Sequence, residues 1–168
     1  MNRHPVIETI RSRRSVRRYR PGPVPREDLE LIVDCGRLAP SSNNLQSWEF
    51  VVVTEAATLA QIASIATYGR FIKDAGACIV ICADPSNRSL YLDGAAAAEN
   101  ILLAIHALGY ASCWVQGFEK DYNAALAALL GIPGTHRLVA LLPVGHPEGS
   151  TATPKKRPLA EVLHWERY

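Results

Sequence analysis

The stretch that most constrains the fold is ACIVICA, residues 77–83, which carries no charged or amide side chain. A strand with one face in water alternates polar and apolar residues, whereas a strand apolar at every position is covered on both faces. The run predicts a central strand in a sheet with helices packed on each side. The flanking segments supply those layers. Residues 4–13, HPVIETIRSR, read as a short helix with Pro5 in its first turn. Residues 26–40, REDLELIVDCGRLAP, place Leu29, Ile32, Val33 and Gly36 on one helical face, with acids early and Pro40 as a stop.

WEFVVVT then reads as a strand and ATLAQIASIA as a helix. Residues 93–108, DGAAAAENILLAIHAL, form the clearest helical pattern, closed by Gly109. ASCWV is expected as a strand, DYNAALAALLG as a helix ended by Gly131 and Pro133, and RLVALLPVG as a last strand. The basic tail PKKRPLAEVLHWERY is expected to end in a helix. Strands alternating with helices argue for a sheet covered on both faces. At 168 residues, with no repeat and no linker, the chain is expected to form a single domain over residues 1–168.

Charge is distributed unevenly. Residues 11–20, RSRRSVRRYR, hold six arginines and no acid. Without those six, the 18 bases fall to 12 against 16 acids, a net of −4 for the rest of the chain. A duplex-binding protein spreads its basic footprint over a face, whereas this is one local cluster on a mildly acidic body. Three readings remain open for it: a nucleic-acid arm, a solvated charge run, or a site for a particular anion. In an extended conformation, Arg13, Ser15 and Arg17 share one face and Arg14, Val16 and Arg18 the other. Residues two apart on such a face are spaced about 7 Å, which makes a compact anion site of two guanidiniums around a hydroxyl.

The four cysteines, Cys35, Cys78, Cys82 and Cys113, form no C-x-x-C pair. In a strand, Cys78 and Cys82 lie about 13 Å apart, too far for a disulfide. They read as buried thiols of a reducing compartment. The N-terminus lacks an apolar export segment, and no apolar run reaches the about 18 residues a membrane helix needs. A soluble cytoplasmic protein is expected, without membrane or nucleic-acid partners. G-x-S-x-G, H-E-x-x-H, P-loop and Rossmann signatures are absent, and no metal ligand set is evident. Residues 39–50, APSSNNLQSWEF, form a tight polar loop anchored by Trp48, able to present many hydrogen-bonding groups to a planar heterocycle.

RRSVRRY followed by APSSNNLQSWEF resembles the nitroreductase family of FMN-dependent oxidoreductases, with its R-[RH]-S-x-[RK]-x-[FY] and P-S-x-x-N-x-Q-P-W motifs. The likeness continues through the helix at 93–109, GYASCWVQGF and PKKRPLAEVLHW, in the family's order. It implies an α+β fold, a three-layer α/β/α sandwich around a mixed sheet, in a homodimer with FMN at the interface.

Residue by residue, the resemblance implies that Arg13, Arg14 and Ser15 hold the FMN phosphate and ribityl chain, joined by Lys155 and Arg157. Arg17 matches the basic position at the flavin N1/O2 edge. Pro40, Ser41 and Ser42, with Asn44 nearby, would reach over the flavin of the partner subunit. Val115, Gln116 and Gly117 match the turn whose backbone N–H faces flavin N5. NAD(P)H is the implied reductant, and nitroaromatics, quinones or similar small molecules are the implied acceptors, reduced in ping-pong fashion. No side-chain nucleophile is then required, because the cofactor carries the chemistry.

The chain departs from the family pattern in three places. The link between the central strand and the long helix is short, Tyr68 and Phe71 stand where some relatives place an Asn and a Lys on the flavin's pyrimidine edge, and Ser47 replaces the Pro before Trp48. A specialised branch, such as dehalogenation or oxygen-dependent flavin chemistry, and a flavin-binding redox sensor without turnover are the alternatives.

Overall fold

A computed structural model describes residues 4–168, so the part of the N-terminal reading that falls on residues 1–3 lies outside it. In chain order the elements are α1 (Pro5–Ser12), β1 (Tyr19–Arg20), α2 (Arg26–Arg37), β2 (Trp48–Val53), α3 (Ala56–Ile65), β3 (Ala77–Ala83), α4 (Leu90–Ala107), β4 (Val115–Gln116), α5 (Asn123–Leu130), β5 (Arg137–Val144) and β6 (His146–Pro147). The main sheet has the order β2-β3-β5-β4 with every strand pair antiparallel.

β3 is central and buried at all of its positions, as its composition requires. Its side chains alternate between two cores. Ala77, Ile79, Ile81 and Ala83 face the layer made by α2 and α4, where Leu29, Ile32, Ile101 and Ile105 are buried. Cys78, Val80 and Cys82 face the other layer, with Leu59 and Ile62 of α3 and Leu126 of α5. The three layers follow from this two-sided burial. The four thiols are free, and burial pushes Cys78 up to about 12 and Cys82 up to about 11. Both stay protonated at neutral pH and are unavailable as nucleophiles.

The β3–β5 register shifts between Ile81, opposite Ala140, and Cys82, opposite Leu138. Val139 is therefore an extra residue, a bulge that bends β5 and frees one carbonyl from the regular ladder. That carbonyl accepts the N–H groups of Gly117 (3.0 Å) and Phe118 (3.2 Å), turning the chain at the end of β4.

Three expectations need adjustment. α4 begins at Leu90, so only residues 84–89 separate it from β3; its C-terminal Gly109 does adopt a left-handed backbone, φ 84°. The strand expected over ASCWV is largely replaced by two isolated bridges. Ala111 pairs with Gly145 and Ser112 with Ser15, because these backbone groups are shared between different partners. The Ser15–Ser112 bridge is parallel and brings the arginine segment onto the otherwise antiparallel sheet, making the arrangement mixed. The helix expected in the tail is reduced to a 3-10 turn at Leu159–Glu161, and residues 149–168 lie exposed.

Candidate cofactor site

The arginine segment is extended, as its alternation requires. Val16 N–H donates to Ser112 O at 2.8 Å, and Tyr19 and Arg20 pair with Pro147 and His146. Tyr19 anchors it: the ring is buried, and its hydroxyl donates to Val16 O at 2.8 Å. Burial pushes that phenol far above its usual range, so it remains a neutral donor.

Between this segment and the start of the tail lies an open cleft of about 690 Å³. Arg13, Arg14, Ser15 and Arg17 line it from one side, and Thr151, Thr153 and Lys156 from the other. Arg14 is partly committed, since its Nη1 donates to Arg11 O (2.8 Å) and Arg13 O (2.7 Å), closing the carbonyl end of α1. Arg13 has the opposite character. Its Nε is shielded from water and lacks a hydrogen-bond acceptor, with Glu99 Oε1 at 3.5 Å in an ion pair only. Buried donors are normally satisfied, so this unpartnered guanidinium nitrogen in a cationic cleft points to a missing ligand. The buried Ser112 Oγ, likewise without a partner among the described residues, lines a smaller pocket with Arg13 and Arg14 rather than this cleft.

Arg17 also borders a second cleft of about 600 Å³, shared with Arg18, Lys73 and Glu148. Arg18 is paired with Glu148 (Nη2–Oε2 3.2 Å), and Arg20 Nε donates to Pro147 O, so these two arginines have partners of their own.

The remaining expected residues lie outside the cationic cleft. Lys155 and Arg157 do not line it; Arg157 folds back onto Glu161, with Nε–Oε2 at 3.3 Å. The tail contributes Lys156 instead. Pro40, Ser41, Ser42 and Asn44 form a separate loop. There Ser41 Oγ accepts from Gln46 N–H (3.1 Å), and Ser42 N–H donates to both oxygens of Asp93 (3.1 Å each). Val115 is buried in β4, Gln116 is exposed, and the Gly117 N–H is already bonded to Val139 O. Tyr122 hydroxyl donates to Gln116 O, which stiffens the same turn.

Tyr68 projects into solvent below Lys120, whose Nζ lies 5.8 Å from its ring centre. Phe71 packs instead against Tyr19, with ring centres 6.4 Å apart. Lys73, Lys156 and Asp93 were not singled out by sequence reasoning. For the lysines the only signal is proximity to DAG and to RP; for Asp93 it is an acid in an otherwise apolar helix.

Comparison with known proteins bears on this arrangement. The sequence profile described as the nitroreductase family matches residues 10–69 and 64–146. A protein of Archaeoglobus fulgidus provisionally named NADH dehydrogenase/NAD(P)H nitroreductase is 36% identical over 148 residues, covering 84% of this chain and 85% of that one. A crystal structure of a Bacteroides thetaiotaomicron protein of the same provisional name superposes with a TM-score of 0.93, at 29% identity over 99% of this chain and 100% of that one. The FMN-dependent nitroreductase of Clostridium difficile R20291 superposes with a TM-score of 0.89, at 30% identity over 96% and 99% of the two chains. The matched span begins just ahead of the arginine segment and runs through the end of β5, taking in the central strand, the polar loop and the bulged turn, and by that span the chain belongs to the nitroreductase family.

Proposed function

We propose that this protein is a flavin-dependent NAD(P)H oxidoreductase that binds FMN as a homodimer and reduces nitroaromatic, quinone or similar acceptors. The observation that carries the reading is the cleft at Arg13, Ser15, Arg17 and Lys156, with the Arg13 Nε buried and lacking an acceptor. Its donor set suits a phosphate monoester, which offers nearly two negative charges and several acceptor oxygens to guanidinium and hydroxyl groups. FMN, when bound, supplies hydride chemistry between a reduced nicotinamide and the acceptor.

The chain's own residues have three tasks. Arg13, Ser15 and Lys156 hold the phosphate end. Arg17, at the boundary between the two clefts, would present a fixed positive charge to the bound cofactor and favour its more electron-rich form. Lys73 shares the second cleft with Arg17 and adds to that field, the role that Tyr68 and Phe71 are not placed to perform. The turn at residues 115–118, which lines neither cleft, would face the flavin as the family resemblance implies, with its backbone fixed by Val139 O and Tyr122.

A homodimer is supported by apolar surface that a lone chain leaves wet. Val6, Ile7 and Ile10 of α1 are 55%, 50% and 51% exposed, and Leu159, Val162 and Trp165 of the tail are exposed as well. Apolar side chains concentrated on one short helix and one tail mark an interaction surface.

The test is an absorption spectrum of the purified protein, then anaerobic titration with NADH and NADPH in the presence of a quinone. Bound FMN bleached by a reduced nicotinamide and recovered by the quinone is the expected result. Protein that neither carries nor takes up FMN overturns the proposal. FMN bound but not reduced by either nicotinamide overturns turnover and leaves a sensor.

A further inference from the structure

The loop at residues 40–48 carries a run of left-handed backbone, with φ of 50° at Asn43, 56° at Asn44 and 48° at Gln46. Asparagine enters that region more readily than other non-glycine residues, whereas Gln46 does so at a cost, and such positions gather at functional segments that surrounding structure over-determines. The loop also turns Leu45 outward, where it is exposed.

What holds the loop from outside is the first turn of α4 together with the short segment before it. Asp93, only 7% exposed, accepts the Ser42 N–H through both carboxylate oxygens at 3.1 Å. Asn87, 5% exposed, donates to Asp93 Oδ2 at 2.7 Å and to Ser47 Oγ at 2.9 Å. The Asn87 Oδ1 is occupied in turn by Ser89 N–H at 2.9 Å, which fixes the amide's orientation. Two buried polar side chains thus grip both ends of the strained stretch, Ser42 before it and Ser47 after it. All three hydrogen bonds to the carboxylate come from neutral donors. A buried carboxylate with only neutral donors is costly if cohesion is the sole purpose, because apolar packing would join helix and loop without desolvating a charge. Near the start of α4 the helix dipole helps to stabilise that charge.

We propose that Asp93, oriented by Asn87, is a positioning residue that holds the loop at residues 40–48 in its cofactor-binding conformation. The inference rests on the FMN reading given above together with the expectation that this loop, which lines neither cationic cleft, reaches over the flavin of the partner subunit. Its chemistry makes a reciprocal exchange informative. Asp93→Asn sets an amide nitrogen either against Asn87 Nδ2 or against the Ser42 N–H, donor facing donor in both orientations. Adding Asn87→Asp restores one donor facing one acceptor. Asn at 93 can then accept from Ser42, and Asp at 87 can accept from Ser89 N–H and the Ser47 hydroxyl.

The experiment measures FMN affinity of the apoprotein by fluorescence titration, together with its melting temperature, for wild type, Asp93→Asn, the double exchange and Ile101→Val. Ile101 is buried in the core eight residues beyond Asp93 along α4, takes no part in the hydrogen bonds that hold the loop, and serves as a control for general destabilisation. Asp93→Asn is expected to weaken FMN binding about tenfold or more, the scale of one lost hydrogen bond to a charged group. Ile101→Val should lower the melting temperature without moving the affinity, and the double exchange should restore most of the binding. Should Asp93→Asn not fold, Ser47→Ala carries the test, with weakened FMN binding in a folded protein expected.

Wild-type affinity in folded Asp93→Asn or, failing that, Ser47→Ala overturns the inference. So does a loss no greater than that in an Ile101→Val protein of equal melting temperature, or a folded double exchange as weak as the single variant. Wild-type apoprotein that takes up no FMN overturns the functional reading itself and this inference with it.

Discussion

Arg13 Nε lies 3.5 Å from Glu99 Oε1, close enough for charge attraction but without a hydrogen bond, and it is shut off from water. Glu99 holds the guanidinium in place from α4 while leaving its donor unsatisfied. A bound phosphate oxygen would supply the missing acceptor. Replacing Arg13 by Ala is therefore expected to weaken FMN binding by about 10- to 100-fold, the range for losing a charge-assisted hydrogen bond. Parallel titration with riboflavin, which lacks the phosphate, is the control. The Arg13→Ala protein should bind riboflavin nearly as wild type does, and an equal loss for both ligands would place the phosphate elsewhere.

The tail offers three adjacent cations, of which only Lys156 lines the cleft. Lys156→Ala should weaken FMN binding and reduce its dependence on salt, because one phosphate contact screened by ions is lost. Lys155→Ala should change little. Arg157→Ala should alter the tail turn, through loss of the contact with Glu161, more than the phosphate affinity. Titrations at two salt concentrations separate the three.

These lysines also show where sequence reading stops. β3 was legible because apolar residues at every position admit one solution, a central strand. The extended arginine segment was legible because alternation and Pro21 fix its geometry within a few residues. Lys156 was not, since a basic tail without secondary structure has no periodicity to say which side chain turns inward. Phe71 stands in sequence where some relatives place a flavin-edge residue, yet the 3-10 turn at Arg70–Asp74 carries it toward Tyr19 and presents Lys73 to the cleft. Asp93 was missed because its partners, Ser42 and Asn87, are 51 and 6 residues away, and only the packed helix brings them together.

Gly76 precedes β3 and packs directly against the turn that follows β1. A Cβ there would lie 2.6 Å from the Gly22 carbonyl oxygen and 3.0 Å from Val24 Cγ2. Backbone cannot yield as a flexible side chain can, so Gly76→Ala is expected to destabilise the fold by about 1–3 kcal/mol. Thermal unfolding of the apoprotein checks this, and an unchanged melting temperature would show that the turn shifts freely.

His106 in α4 donates or accepts at Ser12 Oγ, 2.7 Å away. Partial burial lowers its pKa, and the charges of Arg13 and Arg14 lower it further. The folded protein therefore favours neutral imidazole, whereas the unfolded chain takes up a proton once pH falls below about 6.5. Stability contributed by this site is present at neutral pH and declines as pH drops through that value toward the lower folded pKa. His106→Gln, which retains a polar group for Ser12 but does not titrate, should flatten the decline. Melting temperatures of both apoproteins between pH 5 and pH 8 test it, and parallel curves would exclude His106 as the source.

The homodimer can be separated from the phosphate site by perturbing apolar groups that do not line it. Ile7 on α1 and Trp165 in the tail are exposed in the single chain and line none of the cationic clefts. Burying each against a second copy is worth about 1.5–3 kcal/mol, and a homodimer loses it in both subunits, so Ile7→Asp or Trp165→Ala should weaken dimerisation by about two to four orders of magnitude. Sedimentation equilibrium measures the association directly. If the loop at residues 40–48 completes the site of the partner, FMN affinity must fall in step with dimerisation although Arg13, Ser15 and Lys156 are intact. Raising protein concentration should restore both together. FMN retained by a monomeric variant would mean that one chain builds the whole site, and the loop would then have to act within its own subunit.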